Sequence, residues 1–248
     1  MINLLSIEWL KLKRLNTFKV ILIVYAVLLP LIFASLALMP FYGSPGMNSS
    51  IYKFPDVYHY TTYISSFFNL MIGVIIVVFT CNEIKYKTQR QNLIDGLSKK
   101  EIILSKIYIV VSLSFVITFY AFLIAVLFGI LNNSATELSE GIRYIGFYFI
   151  GTLGYFIFAY FLANLLKNPA LTIVFYLLST FLEGILGLFA KDYSQFFPLS
   201  TFSNLIPIPV LPDGFQYMMT EIERSGLGLF YVIVFVIVSY IVISKRDI

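Results

Sequence analysis

NEIKYKTQRQNLIDGLSKKEIILSK, Asn82 to Lys106, is the stretch on which the reading of this chain turns. Six basic residues fall within it (Lys85, Lys87, Arg90, Lys99, Lys100 and Lys106), and both flanks are apolar runs. No Pro or Gly interrupts Glu83 to Asp95, and Gly96 stands where a helix commonly ends on a left-handed residue. Ser98 followed three residues later by Glu101 is the capping-box pattern that starts a new helix. The stretch therefore predicts a helix over 83–95, a corner at Gly96-Leu97, and a second helix running into the next apolar run. Topology alone accounts for the basic residues. It does not account for the caps or the length, and Ile84, Leu93 and Ile94 give the first helix apolar side chains to bury against something.

Outward from this stretch the chain is greasy. Of 248 residues, 59% are hydrophobic and 12% charged, against about 25% charged in soluble domains. Such a surface does not face water, so the class is an all-α integral membrane protein forming a single domain over 1–248. A bilayer core about 30 Å thick needs roughly 20 apolar residues per helix, and six segments qualify, near 18–39, 61–81, 107–131, 142–166, 169–189 and 227–244. The first has no small-residue cleavage motif after it and reads as a retained span.

Six spans place both termini on one side. With the six basic residues of the opening stretch, that side carries Lys11, Lys13, Arg14, Lys19, Lys167, Lys245 and Arg246, against Lys53, Arg143, Lys191 and Arg224 on the other. The acids Asp56, Glu137, Glu140, Asp192, Asp213, Glu221 and Glu223 lean the other way. The positive-inside rule then puts both termini in the cytoplasm. One His and one Cys leave almost no material for disulfides, structural zinc, haem or histidine catalysis.

Smaller signals complete the layout. In NLLSIEWLKLKRLN, Leu5, Trp9 and Leu12 share a helical face beside Lys11, Lys13 and Arg14, as in an interfacial helix on the inner leaflet. Asn168 and Pro169 form an N-cap and first-turn pair between the fourth and fifth runs. The segment 190–226 holds Pro198, Pro207, Pro209 and Pro212 among apolar pieces, and is expected to form a re-entrant pair of short helices at the outer leaflet, the alternative being a hydrophobic loop lying over the outer surface. Glu183 is an acid well inside the fifth run. It either lines a transport path or is hydrogen-bonded by the re-entrant segment. Asn69 in the second run is open to the same two readings, substrate contact or interhelical hydrogen bond. Gly146, Gly151, Gly154, Gly184 and Gly187 are expected at close helix contacts, and His59 in an aromatic belt.

In layout the chain resembles a permease subunit of an ABC transporter of the type 2 exporter class. The motif that carries the resemblance is Glu83, Thr88, Leu93, Gly96, Ser98, Lys99 and Lys106. The resemblance implies that 83–95 is a coupling helix docking on a separate cytoplasmic ATPase. Glu83, Thr88 and Gly96 would belong to that site, with Lys85, Lys87 and Arg90 at its rim and Ile84, Leu93 and Ile94 at its apolar centre. The chain has no Gly-x-x-x-x-Gly-Lys-Ser/Thr loop, so ATP and Mg are expected on the partner and no cofactor or catalysis on this chain. The resemblance further implies a bacterial inner membrane, a 2+2 assembly with a second permease copy or sibling, and an amphiphilic cargo: peptide, bacteriocin, drug or lipid. No nucleic-acid partner is expected. An ion-coupled carrier or small channel is the alternative. Carriers favour repeated halves and membrane-embedded charge pairs, and Glu183 has no basic partner within its run. An intramembrane enzyme lacks any paired acids or acid–histidine set.

Overall fold

The computed structural model describes residues 2–36, 51–132, 141–209 and 218–245, and these are helical with short connections. The helices are α1 (Ile2–Arg14), α2 (Asn16–Ser35), α3 (Asp56–Ser66), α4 (Asn69–Lys85), α5 (Thr88–Ile94), α6 (Lys99–Leu131), α7 (Arg143–Leu166), α8 (Pro169–Ala190), α9 (Pro198–Asn204) and α10 (Glu221–Ser244). A 3₁₀ turn over Lys191–Phe196 joins α8 to α9. Among the described residues, α2, α6, α7, α8 and α10 are long and apolar enough to span a membrane. The expected span end at Met39, the acids Glu137, Glu140 and Asp213, and Pro212 and Arg246 lie outside the described residues.

The second span differs from expectation. In place of one helix over 61–81, α3 and α4 meet at a 48° bend. No Pro or Gly marks the break. Ser66 Oγ donates to the Tyr63 carbonyl (2.7 Å) and Thr62 Oγ to that of Tyr58 (2.7 Å), and such back-bonding bends helices. At the corner the ladder tightens to i→i+3 bonds, Phe67 N–H to Ile64 O and Phe68 N–H to Ser65 O.

α7 is the central helix, with 67% of its apolar window buried against 6% for α8. It packs on α4, α6 and α10, and its small residues admit α9: Gly154 lies under the Phe202 ring and Gly151 against the Phe202 carbonyl. Gly187 likewise abuts Ser194. Gly146 and Gly184 depart from the expected packing role, since a Cβ at either would meet nothing within 4 Å. α9 is wedged among α7, α8 and α10, with Leu199, Thr201 and Phe202 buried. Asn168 Oδ1 accepts the Ala170 and Leu171 N–H groups at 3.0 and 3.3 Å, and Pro169 opens α8.

Candidate functional site

The expected helix over 83–95 is two helices. α4 runs on through Lys85, and the chain turns at Tyr86 and Lys87, where Lys87 adopts a left-handed φ of 54°. Thr88 Oγ1 then donates to the Glu83 carbonyl at 3.1 Å, closing the elbow into α5. The far end of α5 follows the sequence pattern closely. Gly96 has φ +96°, its N–H donates to Leu93 O (3.1 Å), and Leu97 N–H reaches Asn92 O (3.0 Å). Together these bonds form a Schellman motif. Ser98 Oγ accepts the Glu101 N–H at 3.3 Å, and Glu101 Oε2 accepts the Ser98 N–H at 2.8 Å, so α6 begins in a complete capping box.

The elbow divides the residues assigned to one docking face. Glu83 belongs to α4 and turns inward, where it is 6% exposed. Ile84 and Leu93 are half-buried. Lys85, Lys87 and Arg90 are exposed, as are Ile94 (71%) and Tyr86 (69%). Tyr86, Lys87, Thr88, Arg90, Gln91 and Ile94 line an open cleft along the elbow.

Behind the elbow the structure assembles four charges. Lys106, on α6, lies 2.5 Å from Glu83 Oε2 and also contacts Glu8 Oε2 of α1. Lys11 bridges the other two oxygens, at 2.9 Å from Glu8 and 3.3 Å from Glu83. Each carboxylate thus sits between two ammonium groups in a closed, neutral ring. Lys106 is 2% exposed, and its ammonium lies 4.4 Å from the Phe79 ring centroid, a cation–π distance. Burial pushes the Glu8 carboxyl up, but Lys106 and then Lys11 outweigh it and hold the group below its ordinary range. Burial lowers Lys11, yet Glu83 and then Glu8 raise it overall.

Burying charges is unfavourable unless each is paired, so the ring dictates how α1, α4 and α6 register. Glu8, Glu83 and Lys106 are all more deeply buried than Glu183, the acid that the apolar runs singled out. Glu8 went unnoticed in the sequence, although it lies one turn before Leu12, which is fully buried. An acid on the apolar face of a short helix is the signal that would have found it. Trp9 of the same helix packs edge-on against Phe18 (6.3 Å).

The remaining candidates are hydrogen-bonded into tertiary contacts. Glu183 accepts the backbone N–H groups of Leu199 (3.2 Å) and Ser200 (2.9 Å), together with the Ser200 hydroxyl. It therefore caps the first turn of α9, the second of its two sequence readings. Asn69 Oδ1 accepts from Tyr148 (3.3 Å) and Thr152 (3.2 Å) of α7, and its carbonyl accepts from Tyr176 of α8 (3.4 Å). It ties three helices at the bend. His59 stacks on Tyr144 at 4.2 Å, with Nε2 2.8 Å from the Pro207 carbonyl. Among the described residues no group of His, Cys, Asp and Glu is arranged to hold a metal ion.

No curated protein matches the chain. The sequence model for the ABC-2 family transporter protein matches residues 4–183, a region that takes in α1, the bent span, the elbow, the charge ring and Glu183. With most of its length matched, and with multiple apolar helices around a charge-locked elbow, this chain belongs to the ABC-2 transporter family as a multi-pass membrane component.

Proposed function

We propose that the chain is the permease subunit of an ATP-driven exporter, coupled to a separate ATPase through α5. The observation that carries this reading is the exposed elbow. The Tyr86 ring and the Ile94 side chain offer exposed apolar surface beside Lys87 and Arg90. A small apolar centre with a charged rim is the usual composition of a protein contact. Glu83 serves this function from within, by anchoring the elbow rather than by touching the partner. The basic face is cytoplasmic on this reading, in a bacterial inner membrane, and ATP with Mg is held by the partner. Two permeases, identical or sibling, assemble with two ATPases. Closure of the ATPase pair displaces α5, and the charge ring passes that displacement to α4, α6 and α1 together because the four side chains form one unit. The spans then switch access for an amphiphilic cargo such as a peptide, bacteriocin, drug or lipid.

Ile94→Asp tests the docking. The side chain is exposed, so the fold is retained, while loss of an apolar anchor worth about 2 kcal/mol weakens the complex about 30-fold. The expected result is loss of co-purification with the partner ATPase, and loss of its membrane-stimulated ATP turnover. Unchanged co-purification and turnover would overturn the reading.

A further inference from the structure

Beside the α3–α4 bend lies a cavity of about 300 Å³. Its walls are Phe67 and Leu70 at the α3–α4 bend, Tyr155 of α7, Thr180 of α8, and Asn204 and Ile206 at and after the end of α9. None of the described residues lining it carries a charge. Three features bear on what would fill it. Its size is at the lower end for ligand sites, and Phe67 and Leu70 offer apolar wall. Phe67 is 66% exposed, so this wall of the cavity reaches the outer, apolar surface of the bundle. The Thr180 hydroxyl oxygen is buried and has no hydrogen-bond partner, although a helical Thr would ordinarily bond back one turn. Tyr155, by contrast, donates to the Leu199 carbonyl at 3.4 Å. Among the described residues the cavity thus combines an apolar slot with one buried, unpartnered hydroxyl, near the midpoints of α7 and α8, at a depth where a charged ligand is disfavoured.

We propose that this cavity binds a neutral lipid, taking one acyl chain along Phe67, Leu70 and Ile206 and its ester carbonyl on the Thr180 hydroxyl. The inference goes beyond the permease reading and makes no use of the ATPase. The test is therefore run on the full-length permease alone in phosphatidylcholine vesicles, and success or failure of ATPase docking leaves its outcome untouched.

The probe is a diacylglycerol bearing a diazirine in one acyl chain, and the comparison is phosphatidic acid with the same chains. Crosslinked peptides are mapped by mass spectrometry. Diacylglycerol is expected to label residues 63–70 and 203–208 at least about fivefold more than phosphatidic acid does. Thr180→Val, which preserves shape, reduces labelling about fivefold, the value of one hydrogen bond. Ser203→Trp, placed on an exposed lining residue, blocks it; should Thr180→Val fail to fold, Ser203→Trp alone decides. Equal labelling by the two lipids would overturn the proposal. So would labelling spread evenly over outward residues such as Phe175 and Leu186, or labelling unaffected by both substitutions.

Discussion

Lys106→Met removes the cation at the centre of the charge ring while keeping the length of the side chain. Glu8 and Glu83 would then remain 3% and 6% exposed with only Lys11 between them. Breaking a buried ion pair costs about 3–5 kcal/mol. An independent route gives a similar figure, because holding Glu8 protonated at pH 7, against an ordinary glutamate pKa near 4.3, costs about 3.7 kcal/mol. For a chain of this size a loss of about 4 kcal/mol lowers Tm by roughly 8–16 °C. The readout is built in: Trp9 is the only tryptophan and neighbours Glu8 on α1, so its emission in detergent-solubilised protein follows α1 docking during a thermal ramp. Adding Glu8→Gln to Lys106→Met leaves Glu83 paired with Lys11 and should restore most of the loss. The pH dependence also has a definite sign. The wild-type Glu8 carboxyl is lowered from 4.5, so its stabilisation is complete above that value and fades as pH falls through the lower folded value. Lys11 is raised from 10.5, so its share is complete below 10.5 and fades as pH rises through the higher folded value. Lys106→Met should do the reverse at the acid end and gain stability on acidification. A variant with wild-type Tm and Trp9 emission from pH 5 to 9 would refute the ring as the fastener of α1.

Two further substitutions, with Gly146→Ala as a control, test the packing around α9. Gly154→Ala drives a methyl into the Phe202 ring, whose nearest atom would lie 2.4 Å away. Overpacking of this kind costs about 1–3 kcal/mol, whereas Gly146→Ala meets open space and should be neutral or gain up to about 1 kcal/mol; equal melting temperatures for the pair would refute the close contact. Glu183→Ala leaves the Leu199 and Ser200 N–H groups without their acceptor, a cap loss of about 1–2 kcal/mol. Hydrogen exchange across 198–204 should accelerate about tenfold with Trp9 emission unchanged, and unaltered exchange would count against the capping role.

Much of the architecture was legible in the sequence because its causes are local. Gly96 supplies a positive φ within three residues of Leu93, Ser98 and Glu101 cap each other across one turn, and Asn168 with Pro169 starts α8. Apolar runs of membrane-spanning length reveal themselves by composition alone. The bend at Phe67 and the elbow at Lys87 were not legible, since neither contains Pro or Gly. At the bend, hydroxyl back-bonds and the Tyr148 and Tyr176 bonds onto Ser65 and Asn69 disturb the ladder, and those tyrosines arrive from α7 and α8.

The sequence by itself thus determined an all-helical membrane protein with several apolar runs of spanning length and a capped corner ahead of α6. Only the tertiary structure decided that Glu83 and Lys106 face inward, that Glu8 completes their ring, and that Glu183 caps a helix. The reason is range. A cap is satisfied within about four residues, whereas a buried charge is tolerable only where a counter-charge meets it, and Glu83 finds Lys11 across 72 residues of chain and Glu8 finds Lys106 across 98.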